Sequence, residues 1–173
     1  MNASQVLVFL PLLIYGIAIA ALFSQWKRFI NYKNIYIPYA LFTILLTEIA
    51  LYNVYLFSQL AGEINVMDYK SYLIYILPPF SFLIAVNIFT PEKDDDTETY
   101  FKENMSVFFI LIAFFVATHF FFNYEESSVM FFARMIIIIW LLLTGILKRI
   151  WMVYVFVAIW FLLLLSRLSL IGA

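Results

Sequence analysis

The sequence predicts an all-α fold, a polytopic bundle of about six transmembrane helices with no domain outside the bilayer. Two observations carry that expectation. Hydrophobic residues make up 66% of the chain and charged residues 12%, whereas a soluble domain carries about 25% charged residues. Six apolar stretches, each close to the roughly 20 residues a membrane helix needs, occupy 5–26, 36–59, 71–90, 105–124, 129–147 and 150–170. Residues 1–173 are read as one transmembrane domain.

The first stretch follows Met1-Asn2-Ala3-Ser4, which offers no positive charge. It is too long for a signal-peptide core and lacks a cleavage site, so a retained span is expected. The second stretch is the most polar of the six and belongs inside the bundle. The third ends at Thr90-Pro91, and the longest connection, 91–104, follows it. Only Thr144 to Arg149 divides the fifth stretch from the sixth. Together they are far too long for one crossing. Gly145 and the Lys148-Arg149 pair are therefore read as a tight interfacial hairpin, with five spans as the alternative.

Orientation follows from Lys and Arg in short loops. One side holds Lys27, Arg28, Lys33, Lys93, Lys102, Lys148 and Arg149; the other holds Lys70, with Arg167 near its boundary. The first side is expected to be cytoplasmic, with both termini outside. Aromatic belts agree: Trp26, Phe29, Tyr32, Tyr36, Tyr100 and Trp151 on the inner side, Tyr69, Tyr72 and Tyr124 on the outer. Small residues at four-residue spacing mark close helix contacts. Gly16, Ala20 and Ser24, then Ser81 and Ala85, then Ala113 and Ala117 show it, and packing within the bundle is preferred to a dimer face.

Several chemistries are excluded. Cysteine is absent, which removes disulfides, thiolate zinc sites, iron–sulfur clusters and cysteine nucleophiles. One histidine cannot supply paired haem ligands. No lysine lies within a span, so a retinal Schiff base has no anchor. Net charge is −1, and no basic face suggests nucleic acid. There is no G-x-S-x-G elbow, H-E-x-x-H pair or P-loop, and no lipidation motif. No cofactor and no metal site are expected.

Polar groups inside the spans are the informative ones, because an Asp, Lys or Arg at mid-helix costs about 2.5–3.5 kcal/mol on insertion scales. Glu48, Asn53, His119 and Arg134 stand out. At 1.5 Å per residue, Asn53, His119 and Arg134 lie roughly 7–10 Å from the outer end of their spans and Glu48 roughly 16 Å. One horizontal layer is expected, with Arg134 paired to Glu48. Pro11 and Pro78-Pro79 fall at a similar depth and are read as helix breaks, which are tolerated beside protein or a water-filled cavity. The combination suggests a hydrated cup open to the outside. Tyr39, Thr43 and Thr47 with Asn87 would line any inward route, while the isoleucine run 136–139 would close the inner half. A structural tie between helices explains the same residues, as does threonine back-bonding within the helix.

The loop Pro91-Glu92-Lys93-Asp94-Asp95-Asp96-Thr97-Glu98 has two readings. Asp95 or Asp96 can cap the fourth helix, or the carboxylates can gather a divalent cation. The spacing matches no EF-hand, so capping is preferred.

Thr90-Pro91, the acidic stretch 94–98, Tyr100-Phe101 and Phe108-Phe109 resemble a widespread set of uncharacterised bacterial inner-membrane proteins of about this size. Trp26-Lys27-Arg28 fits the end of their first helix. The resemblance covers about a quarter of the chain and implies six helices in the bacterial cytoplasmic membrane. It implies no activity.

Two functions are expected to compete. One is a conduit or carrier for an ion, proton or small polar solute through the layer. The other is a non-catalytic membrane subunit acting through partner proteins or as a homo-oligomer. A lipid-active enzyme with Glu48 and His119 as acid and base ranks third, since no nucleophile or metal set accompanies them.

Overall fold

The computed structural model describes residues 3–30, 35–60, 68–92, 95–121 and 128–171. Among them all regular structure is helical: α1 (Ala3–Gln25), α2 (Lys27–Ile30), α3 (Ile37–Leu60), α4 (Tyr69–Phe89), α5 (Thr97–Thr118), α6 (Ser128–Leu147) and α7 (Ile150–Ile171). A 3₁₀ turn, His119–Phe121, closes α5. Within the described residues four helical segments are long and apolar enough to cross a membrane, namely Phe9–Phe29, Ile37–Gln59, Tyr69–Phe89 and Thr97–Phe121. Phe131–Leu147 and Ile150–Leu162 are shorter apolar helices. The described residues are thus all-helical, with helices of the length and apolarity of a membrane bundle.

The helices form a ring. α1 packs on α3 and α4, α5 on α4 and α6, and α7 on α3 and α6. α3 and α5 also touch across the middle, so the bundle has a filled centre. Phenylalanine fills it: the Phe42 ring lies 5.3 Å from those of Phe108 and Phe109, 6.0 Å from Phe156 and 6.2 Å from Phe89. These contacts draw α3, α4, α5 and α7 onto one point, and each such aromatic pair contributes about 0.5–1.5 kcal/mol beyond its buried area. These rings fill the bundle at that level. Of the isoleucine run 136–139, Ile136 and Ile139 are exposed, while Ile137 and Ile138 pack against the core.

Side chains fix the helix starts. The Asp68 carboxylate accepts from Ser71 N at 2.7 Å and caps α4. Asp96 Oδ2 accepts from Thr99 N at 3.0 Å and from Thr99 Oγ at 2.7 Å and caps α5. Backbone donation from Ser71 and hydroxyl donation from Thr99, respectively, hold these carboxyls below their ordinary range. The cap also corrects a boundary. α5 begins at Thr97, two turns before the apolar run at 105, because Asp96 supplies the acceptor that a helix N-terminus needs. Capping is thus the role of Asp96, and Asp95 Oδ2 instead accepts from Glu92 N at 3.0 Å. No metal-binding group of acidic or histidine residues occurs among the described residues.

Gly145 has a role other than the one expected. α6 continues through it to Leu147, and the turn is made by Lys148, at φ 50°, whose N–H bonds Thr144 O at 3.0 Å. That is the left-handed helix end glycine usually supplies. Gly145 instead allows α5 and α6 to meet. Ser106 Oγ donates to Gly145 O at 2.7 Å, and a Cβ on Gly145 would come within 3.1 Å of Phe109 Cβ and 3.2 Å of Ser106 O. Ser106 lies ten residues past the cap and Gly145 three before Lys148. At 1.5 Å per residue, α5 then extends about 10 Å beyond the α6–α7 turn. Its polar first turns reach past that turn: Lys102 and Glu98 pair at 2.5 Å on the exposed side, while Phe101 packs on Tyr39 and Phe89.

The prolines break nothing. α1 runs through Pro11 and α4 through Pro78 and Pro79. All three are buried, so flanking protein holds the helix where a backbone bond is lost. Ser81 Oγ donates to Pro78 O at 2.9 Å. The small-residue expectation divides. Ser81, Ala85 and Ala113 are buried at helix contacts, while Gly16, Ala20 and Ser24 are exposed on the outside of α1. Packing within the bundle does not use that stripe.

At the α4–α5 end, Arg28 acts as a clip. Its NH1 donates to Asp95 O and Thr97 Oγ at 3.1 Å each, and its NH2 to Pro91 O at 3.3 Å and to Glu92 O. Tyr100 OH donates to Ile88 O at 2.9 Å. The planar fork of arginine suits several carbonyls at once. Charge counting read Arg28 only as a cytoplasmic marker; the loop carbonyls give it a structural task.

Candidate functional site

Of the four residues expected in one layer, Asn53, His119 and Arg134 lie together. α1, α3 and α5 bring Tyr15, Asn53 and His119 together near the end of the bundle opposite Arg28. Asn53 is 4% exposed. Its Nδ2 donates to Ile49 O at 2.9 Å, one turn back on α3. That bond turns Oδ1 inward, where Tyr15 OH donates to it at 3.2 Å and His119 Nε2 lies 3.0 Å away. The other ring nitrogen, Nδ1, lies 2.9 Å from Phe115 O. Arg134 joins from α6, with NH1 donating to His119 O at 3.4 Å and its guanidinium 5.1 Å from the Phe120 ring centre. Tyr15 was not singled out by sequence, because one tyrosine among twelve carries no signal until its helix neighbours are known.

The contacts around His119 have a consequence. A neutral imidazole has one N–H and one lone pair. Phe115 O is an acceptor, so Nδ1 must donate. Asn53 Oδ1 is an acceptor too, as long as Nδ2 serves Ile49 O, so the Nε2 contact becomes a hydrogen bond only when the ring takes a second proton. Turning the Asn53 amide would satisfy Nε2 but set Oδ1 against Ile49 O. One added proton on the imidazole satisfies every one of these atoms.

Glu48 stands apart. Five residues separate it from Asn53, which at 100° per residue puts the two about 140° apart around α3. Its Oε2 accepts from Trp160 Nε1 of α7 at 2.8 Å. Glu48 and Arg134 form no ion pair, correcting the expected pairing. The physical reason is the ring order: α7 lies between α3 and α6, and its indole takes the carboxylate first. Equal depth did not imply adjacency.

The four lining candidates separate in the same way. Thr43 Oγ donates to Tyr39 O and Thr47 Oγ to Thr43 O, both at 2.8 Å, so both buried hydroxyls are satisfied within their own helix. Tyr39 is buried, its ring stacked 4.5 Å from Phe89, and its hydroxyl has no hydrogen-bond partner among the described residues. Asn87 is exposed on the outside of α4, away from the other three.

Compared with known proteins, the chain matches no family model, no curated protein and no solved structure.

Proposed function

We propose that the chain is a small membrane carrier or conduit that exchanges a proton, or a small polar solute with it, at the outer face of a bacterial cytoplasmic membrane. In this reading all six long helices cross the bilayer and both termini lie outside. The basic residues gathered near the Arg28 end support the orientation. Single cysteines at Ser127 and at Asp95 test it by labelling from opposite sides of intact cells.

The observation that carries the reading is the pair of oxygens facing both nitrogens of His119. A charge inside a helix bundle is expensive. A neutral ring here leaves one lone pair against another. The two states oppose each other at one residue, which suits a group that takes up and releases a proton. Asn53 and Tyr15 hold the ring and present an acceptor; Arg134 anchors the backbone of His119. The buried Tyr39 hydroxyl is a second support, since an unsatisfied polar group in a protein interior commonly marks a site for water or a small guest. The Phe42 cluster is then the inner closure.

The reading is tested by flux into liposomes carrying the purified chain. Proton or small-solute flux above empty vesicles, lost in His119→Leu, is expected. No flux from folded protein moves the assignment to the second reading, a membrane subunit acting through partner helices. The exposed Gly16, Ala20 and Ser24 stripe on α1 favours that alternative, because small residues let helices approach closely. An acid–base pair for lipid chemistry gains no support, since Glu48 and the His119 site lie on different sides of α3.

A further inference from the structure

The Glu48 side of α3 is unused by the His119 site, and we propose that it is a binding site for a lipophilic organic cation entering from the outer leaflet. Among the described residues Glu48 is the one acidic side chain in the apolar length of the helices, since Glu98 and Glu103 lie on the polar first turns of α5. It is half-buried at the seam between α3 and α7. Trp160 Nε1 occupies Oε2, and Oε1 has no partner among the described residues.

The neighbouring positions give the ligand class. Glu48, Tyr52, Tyr55 and Gln59 follow at intervals of four, three and four residues, which places them on one face of α3. Tyr52 is 39% exposed and Tyr55 58%, so this face points out of the bundle. A carboxylate in hydrocarbon must hold a proton or a cation. A hydrated metal ion gains little from such a face, because most of its ligands would be rings. An organic cation with an apolar shell gains three ways. Its charge meets the carboxylate, its surface meets the tyrosine and tryptophan rings through cation–π attraction, and its apolar groups stay in lipid. Seating is non-covalent: the cation pairs with the Glu48 carboxylate, and no covalent bond is made or broken. Binding is a property of Glu48 and its rings and goes beyond the His119 reading; only translocation of the cation would rest on that reading.

The test uses the full chain in nanodiscs with tetraphenylphosphonium as the probe and tetraphenylborate, an anion of the same shape, as the control. Saturable binding of the cation, absent with the anion, is expected. Glu48→Gln should weaken it by about tenfold or more, since it removes the charge from a desolvated pairing. Tyr55→Leu, at an exposed position where folding is not at stake, should weaken it by about threefold or more. His119→Leu should leave it unchanged, so this site and the His119 site fail separately. Equal binding of anion and cation overturns the proposal. So does binding unaltered in both Glu48→Gln and Tyr55→Leu, or none above empty nanodiscs.

Discussion

His119 Nε2 lies 3.0 Å from Asn53 Oδ1, joining α5 to α3 sixty-six residues away in the chain. Membrane hydrogen bonds of this kind contribute modestly, about 0.6 kcal/mol on average and up to about 1.7. A contact in which one proton satisfies several atoms should fall in the upper part of that range. In a double-mutant cycle of Asn53→Leu and His119→Leu, the two effects should be non-additive by about 1 kcal/mol. Additivity in reversible unfolding would mean that the two side chains do not depend on each other.

Arg28 should resist conservative replacement. Its four hydrogen bonds reach three backbone carbonyls and one hydroxyl, and hydrogen bonds from a charged group contribute about 1.5–3 kcal/mol. Arg28→Lys keeps the charge and loses the fork. It should lower thermal stability nearly as much as Arg28→Ala. A lysine variant as stable as the native chain would show that charge alone matters at this position.

Gly145 should be intolerant of even one methyl group. Ser106 O, a backbone atom 3.2 Å from the Cβ position, cannot swing aside. Gly145→Ala should destabilise by about 1–3 kcal/mol through overpacking, although alanine is the better helix former. Unfolding that shows a stabilised Gly145→Ala would contradict the close α5–α6 approach.

The Asp96 cap predicts a pH dependence. Its folded-state pKa is lowered by the Thr99 hydroxyl and then by the Thr99 N–H. A depressed carboxyl contributes stability that is present above the unfolded value, about 3.9, and is lost as pH falls through the lower folded value. The native chain should therefore lose thermal stability over that acidic window more than Asp96→Ala does. Parallel curves for the two proteins would separate the cap from the pH effect.

These positions show what sequence could and could not carry. Apolar length was legible, because membrane helices obey a length rule that needs no tertiary knowledge. The level shared by Asn53, His119 and Arg134 was legible through helical rise alone. Azimuth was not. Depth along a helix follows from counting, but which way Glu48 faces depends on the ring order of six helices, and α7 reached it before α6. Pro11, Pro78 and Pro79 misled because lost backbone bonds were read as breaks, whereas buried flanks keep a helix continuous. Gly145 misled because turn and close approach call for the same residue.

The account turns on the proton held at His119, and the chain has a single histidine. Nitrogen NMR of the selectively labelled protein in nanodiscs reads its two ring nitrogens without ambiguity. On acidification of the folded native chain the ring should pass from one N–H to two, and Asn53→Leu, which removes one acceptor, should change where that step falls. A native ring that keeps a single N–H at every pH where the chain stays folded, or a step unchanged by Asn53→Leu, would contradict the account.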